Sequence, residues 1–127
     1  MDKNANALNW FEIPATDITR ATKFYETIFE MKMNPLNTDQ FKMSMFPIEP
    51  MAGKVGGALM QSGMHKPSMT GALVYLNANP DLQIVLSRVE KAGGKVIMPK
   101  TQISPEYGHM ACFTDTEGNN VALHSNK

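Results

Sequence analysis

The chain has 127 residues, 43% of them hydrophobic and 19% charged, a composition typical of a folded globular protein with length enough for its own core. Twelve basic and twelve acidic residues cancel, leaving no overall field to attract nucleic acid or an anionic membrane. Apolar runs are too short to span a bilayer, the polar Met1-Asp2-Lys3-Asn4 start carries no signal-peptide core, and Cys112 is alone, so no intrachain disulfide can form and a cytoplasmic setting is expected.

From Asn9 to Pro14 the chain alternates as a strand does, with Trp10 and Glu12 on one face and Phe11 and Ile13 on the other. Thr16 and Asp17 are good N-cap types, and Ile18, Ala21, Phe24, Tyr25, Ile28 and Phe29 then fall into one apolar helical stripe. Strands are expected near Met31–Leu36, Phe41–Phe46 and Val55–Gln61, with Pro47, Pro50 and Gly53 breaking the chain between the last two. In the second of these, Met43 and Met45 share a face. Methionine fills irregular apolar space, so the pair reads either as core filling or as the wall of a ligand pocket. Ser62–Thr70 has the composition of a linker, and His65 within it reads as a solvated loop residue.

The plan then repeats. Leu73, Tyr75 and Asn77 oppose Val74, Leu76 and Ala78 across a strand; Pro80 and Asp81 open a helix with the stripe Leu82, Val85, Leu86 and Val89, closed by Gly93-Gly94. Lys95–Met98 reads as a strand and Ser104–Gly108 as a loop. Met110–Thr114 and Asn120–Ser125 read as a hairpin about Asp115-Thr116-Glu117-Gly118-Asn119. The expected architecture is α+β: residues 1–127 form one domain of two βαβββ modules, about 1–62 and 70–127, with curved mixed sheets around a cleft.

Three segments carry a resemblance. They are Trp10-Phe11-Glu12-Ile13 with Asp17 and Phe24-Tyr25, then Leu86-x-x-Val89-Glu90-x-x-Gly93-Gly94-Lys95-Val96, and then Asp115-Thr116-Glu117-Gly118-Asn119 leading into Leu123-His124-Ser125. In this order and spacing they resemble the vicinal oxygen chelate superfamily of glyoxalases, bleomycin-resistance proteins and extradiol dioxygenases. The resemblance implies a cleft for a small organic molecule, completed in a homodimer. It also implies metal ligands on the first and last strand of each module. Those positions carry over as Trp10, Leu59, Leu73 and Ala122, the middle two uncertain by one residue, and none has a side chain that binds a divalent metal.

One step along each strand the resemblance places a polar ring of Glu12, Gln61, Tyr75 and His124. Two residues, Glu12 and His124, make a poor metal site, so no cofactor is expected. Two functions follow. In the first, Glu12 abstracts a proton beside a carbonyl, with His124 and Tyr75 stabilising charge, in isomerase or lyase chemistry. In the second, Trp10 and the methionines Met43 and Met45 hold a compound without reaction, with Gln61 and His109 as polar contacts. Each polar residue also has a structural reading: Glu12 as an ion-paired residue, His124 as a hydrogen-bonded strand end, Tyr75 and Gln61 as amphipathic wall. Cys112, between Ala111 and Phe113, reads as an inert buried thiol.

Overall fold

A computed structural model describes residues 1–49 and 53–127; the expected breaker Pro50 lies outside them. The first module comprises β1 (Trp10–Pro14), α1 (Ile18–Phe29), β2 (Asn34–Asn37), β3 (Lys42–Met45) and β4 (Gly56–Gln61). The second comprises β5 (Tyr75–Asn77), α2 (Leu82–Val89), β6 (Lys95–Ser104), β7 (Gly108–Thr114) and β8 (Asn120–Ser125). Each forms a four-stranded mixed sheet, in the orders β1-β4-β3-β2 and β5-β8-β7-β6. The first and last strands of each module pair in parallel and the remaining neighbours are antiparallel. The fold is thus α+β, the βαβββ plan written twice. Several boundaries differ from the sequence expectation: β2 starts at Asn34 rather than Met31, and β7 at Gly108 rather than Met110. β6 runs six residues beyond Met98, because bulges on either side of Pro99 let pairing resume at Thr101. The strand opening the second module is only three residues long. No helix among the described residues is long and apolar enough to cross a membrane.

Both helices lie against one face of their sheets. Phe11, Ile13 and Leu59 from the first module join Leu76, Ala111, Phe113, Val121 and Leu123 from the second in one hydrophobic cluster, with the helical stripes packed on it. Aromatic rings cross the junction: Phe24 of α1 meets Phe113 of β7 at 5.7 Å between centroids. Two close approaches require glycine. A Cβ at Gly57 would run into the Phe11 ring, and one at Gly94 would meet the Phe24 ring and the Thr114 carbonyl.

The helix starts are built alike in the two modules. Asp17 and Asp81 are the N-caps, accepting from Arg20 N and Gln83 N. The first helical amide in each case donates to the last residue of the closing strand, Ile18 N to Gln61 Oε1 and Leu82 N to Ser125 Oγ. These contacts satisfy amides that a helix cannot satisfy internally.

The turn Asp115–Asn119 of the second module reaches across to the first. Glu117, with its side chain 1% exposed, accepts from the amides of Thr16 and Asp17 at 2.9 and 2.8 Å. It also takes both guanidinium contacts of Arg20, at 2.7 and 3.0 Å. Asp115 accepts from the buried Tyr25 hydroxyl at 2.8 Å, and Asn119 donates to the Pro14 carbonyl at 2.7 Å. Burial, followed by the Asp115 charge, pushes the Tyr25 hydroxyl well above its ordinary range, so it stays a neutral donor. Burial also pulls the Glu117 carboxyl upward, but the Arg20 hydrogen bond, the Asp17 amide, the Thr116 hydroxyl and the Arg20 charge outweigh it and leave the carboxyl below its usual range.

A depressed carboxyl stabilises the fold above its unfolded value, and that contribution is lost as pH falls through the folded one. Glu117→Gln should therefore cost about 1–3 kcal/mol near neutrality. It should also flatten the loss of stability that the parent shows below about pH 4.3. Denaturant unfolding of both proteins across that range checks this; parallel curves would contradict the role given to Glu117.

Candidate functional site

The face of each sheet away from the helices is decided by strand parity. On β1, Phe11 and Ile13 enter the core, so Trp10 and Glu12 point to the open face, where both are exposed. Register then carries the face across the sheet: Glu12 lies beside Ala58, Ala58 beside Met45, and Met60 beside Met43. Leu36 follows beside Met43. The open face of the first sheet thus presents Trp10, Met43, Met45, Leu36 and Asn34 around one carboxylate, while Met60, of the same parity, is buried. Met43 and Met45 share one strand face, as the sequence expected; the register puts that face on the side of Glu12, and both are half-buried.

On the second sheet Tyr75 pairs with Ala122 and Asn77 with His124, while Leu76 and Leu123 enter the core. Tyr75, Ala122 and His124 therefore share the open face with Met110 and Cys112. Trp10 and Ala122 are not under the helices. Burial raises the Cys112 thiol, which keeps it protonated.

Three expected placements are corrected. Gln61 does not belong to the ring of Glu12: its side chain turns to the helix face and accepts from Ile18 N at 2.8 Å. The residue one position earlier, Met60, stands in that ring, and likewise Ala58 rather than Leu59 occupies the position carried over from family ligands. His109 shares the helix-facing parity of Ala111 and Phe113, opposite to Tyr75, so it is not a contact on the open face; its Nδ1 is buried without a hydrogen-bond partner among the described residues. His124 does not meet Glu12; its Nε2 bonds the Tyr107 carbonyl at 2.6 Å. Tyr75 is 49% exposed, its hydroxyl 4.0 Å from Met110 Sδ.

The partner Glu12 does have is His65, from the segment joining the modules. His65 Nε2 lies 2.8 Å from Glu12 Oε1, and its Nδ1 lies 2.7 Å from Ser62 Oγ. A neutral imidazole that donates Nε2–H to the carboxylate accepts the Ser62 hydroxyl proton at Nδ1, while Met64 N–H donates to the hydroxyl oxygen. Trp10 Nε1–H donates to the other carboxylate oxygen at 3.3 Å. Both oxygens are thereby held in place and each keeps a lone pair for a ligand. Sequence reasoning missed His65 because its contact spans 53 residues and its neighbours carry only linker chemistry.

Beside Glu12, where β1 and β8 face each other beneath the joining segment, is a crevice of about 220 Å³. It is small for a ligand site. The positions that the resemblance carries over for metal ligands, with Ala58 in place of Leu59, are Trp10, Ala58, Leu73 and Ala122; they offer no imidazole, carboxylate or thiolate and do not fit a divalent metal. Among the described residues no three His, Cys, Asp or Glu side chains gather to hold one elsewhere.

Comparison with known proteins agrees with this architecture. The model of the Glyoxalase/Bleomycin resistance protein/Dioxygenase superfamily matches residues 7–123. A "Glyoxylase-like domain-containing protein" of Didymella fabae is 30% identical over 126 residues, covering 91% of each chain. Glyoxalase I from Zea mays is similar in fold, with a TM-score of 0.69 at 20% identity, over 93% of this chain and 45% of its own. This chain therefore spans about half the length of the maize protein. A glyoxalase/bleomycin resistance protein from Albidiferax ferrireducens T118 has a TM-score of 0.67 at 12% identity, with 96% and 100% covered.

Trp10 is the one tryptophan of the chain, so its indole reports on this carboxylate alone. Glu12→Leu removes the indole's acceptor and should move the single indole N–H resonance upfield. An unmoved resonance would contradict the Trp10–Glu12 contact.

Proposed function

The chain belongs to the Glyoxalase/Bleomycin resistance protein/Dioxygenase superfamily, and from that premise we propose that it binds a small organic molecule on the open face of its sheets. Trp10, Met43 and Met45 form the apolar bed and Glu12 is the polar contact. One observation carries this reading: a single carboxylate, fixed by His65 and Trp10, stands beside Met43 and Met45 on the sheet face turned away from the helices. Methionines suit such a bed because flexible, polarizable side chains adapt to an irregular guest. In keeping with one buried cysteine, the reading places the protein in the cytoplasm.

The fixed geometry of Glu12 favours a catalytic extension of the same site. A carboxylate whose two oxygens are already oriented accepts a proton from a carbon acid beside a carbonyl without first reorganising. Tyr75, on the open face of the other sheet, would steady developing charge, and His65 takes the supporting part that the sequence reading gave to His124. The chemistry would be of isomerase or lyase type.

The open faces also carry Leu36 and Tyr75, both 49% exposed, and we take a second copy of the chain to cover them in a homodimer. The half-length match to maize glyoxalase I supports this, since a second copy would supply the other half of its length.

Quenching of Trp10 fluorescence by a panel of aromatic and carbonyl compounds tests binding directly. Met43→Ala should weaken any ligand so found by about fivefold, and Glu12→Gln should abolish turnover while leaving affinity within a few-fold. Binding unaffected by Met43→Ala would remove the open face from the site. Sedimentation should show a dimer; a monomer at micromolar concentration would remove the second copy.

A further inference from the structure

Glu12 and His65 belong to a longer relay whose outer end, Ser62, the binding role does not use. Ser62 Oγ stands 2.7 Å from His65 Nδ1, and His65 Nε2 stands 2.8 Å from Glu12 Oε1. With Nε2–H donated to the carboxylate, Nδ1 is the acceptor of the Ser62 proton. The hydroxyl oxygen takes one N–H, from Met64, and among the described residues keeps its second lone pair free. A hydroxyl within reach of an imidazole that a carboxylate orients is the arrangement that activates serine as a nucleophile, in whatever chain order the three occur. The relay ends on a cavity. Ser62 and His65, both half-buried, line a space of about 420 Å³ at the end of the first sheet, where β1 and β4 finish and β2 turns into β3. That size is within the range of small-molecule sites. Among the described residues its wall carries Lys42 and Lys66 against Asp39 alone, a positive balance.

We propose that Ser62, His65 and Glu12 form an acyl-transfer site that hydrolyses small carboxylic esters. Ser62 Oγ attacks the ester carbonyl carbon, and its proton passes to His65 Nδ1. The Glu12 carboxylate holds Nε2–H and stabilises the imidazolium without itself taking a proton. Positive charge on the cavity wall favours the oxyanion of the tetrahedral intermediate. The carbon–oxygen bond to the alcohol then breaks, and the alcohol leaves with the proton from Nδ1. A water molecule next attacks the acylated Ser62 while Nδ1 takes its proton; the carboxylic acid departs and that proton returns to Ser62 Oγ. Ester and water thus become acid and alcohol, with the three side chains restored. Ser62 and His65 are the catalytic residues, and Glu12, acting through His65, is a positioning residue. The site shares Glu12 and His65 with the open face but not its methionines, so either site can fail without the other.

Hydrolysis of 4-nitrophenyl acetate and labelling by a fluorophosphonate test this on the full chain. The parent should release 4-nitrophenol faster than buffer does. The phosphonate should attach once per chain, at Ser62, as located by mass spectrometry of its peptides. Ser62→Ala should lose the label and fall to the buffer rate. His65→Gln should lower kcat by about 100-fold or more. Glu12→Gln should lower kcat by about as much while KM stays within a few-fold, the split expected of a group that orients the base rather than one that shapes the cavity. Thermal unfolding of each variant checks that it folds, and the position of the label in the parent decides the matter without any variant. Phosphonate bound elsewhere, or not at all, would overturn the proposal, as would a parent no faster than buffer. So would a folded Ser62→Ala protein that hydrolyses the ester like the parent, which would trace the reaction to other side chains.

Discussion

The Glu117 carboxylate holds the molecule in one shape. It comes from the last turn of the second module, yet it terminates the first helix of the first, taking two backbone amides and a guanidinium in a nearly dry setting. A buried carboxylate without such partners would be strongly unfavourable, and helix amides without an acceptor would be so too. Each therefore requires the other. Only one relative placement of the modules lets both be satisfied, and Tyr25–Asp115 and Asn119–Pro14 lock the same placement from either side. The hydrophobic effect gathers the two helices over a common core but is indifferent to small rotations. The polar clamp selects among them.

That selection has a consequence for the open side of the sheets. With the β7–β8 turn fixed on the start of α1, the beginning of β8 is brought opposite β1, and the crevice between Glu12 and Asn120 exists because of it. The joining segment then crosses this gap, so His65 meets Glu12 while Ser68 meets Asn119 and Asn120. A chain of local contacts thus runs from the clamp to the carboxylate proposed as the ligand contact. The helix face carries the stability of the fold, and the opposite face is left to carry Trp10, the methionines and one fixed charge.

Much of this could be read in the residues. The alternation of β1 separates Phe11 and Ile13 from Trp10 and Glu12, and the helical stripes are complete enough to mark both helices. Duplication of the strand–helix plan is visible because each half must bury a similar helix on a similar sheet. Where the reading slipped, the physical reason is specific. In β4 the residues from Gly57 to Met60 are buried on both faces, so no hydrophobic alternation distinguishes Met60 from Gln61, and the register was off by one. Gln61 and Ser125 are polar because a helix amide needs them, a demand that strand pattern alone does not reveal. His109 follows Gly108 at the start of β7, with no side chain before it to mark its parity. His65 was overlooked because a contact across 53 residues leaves no trace in local composition.

Eleven methionines give the molecule a set of well-dispersed reporters. The most direct test of the open-face site is methyl NMR of methionine-labelled protein during titration with a compound that perturbs Trp10. Met43 and Met45, which share that face, should shift together and saturate with a common affinity, while Met1 and Met64 in solvent stay still. Shifts confined to methionines away from the Trp10 face, or none at saturation, would contradict the account.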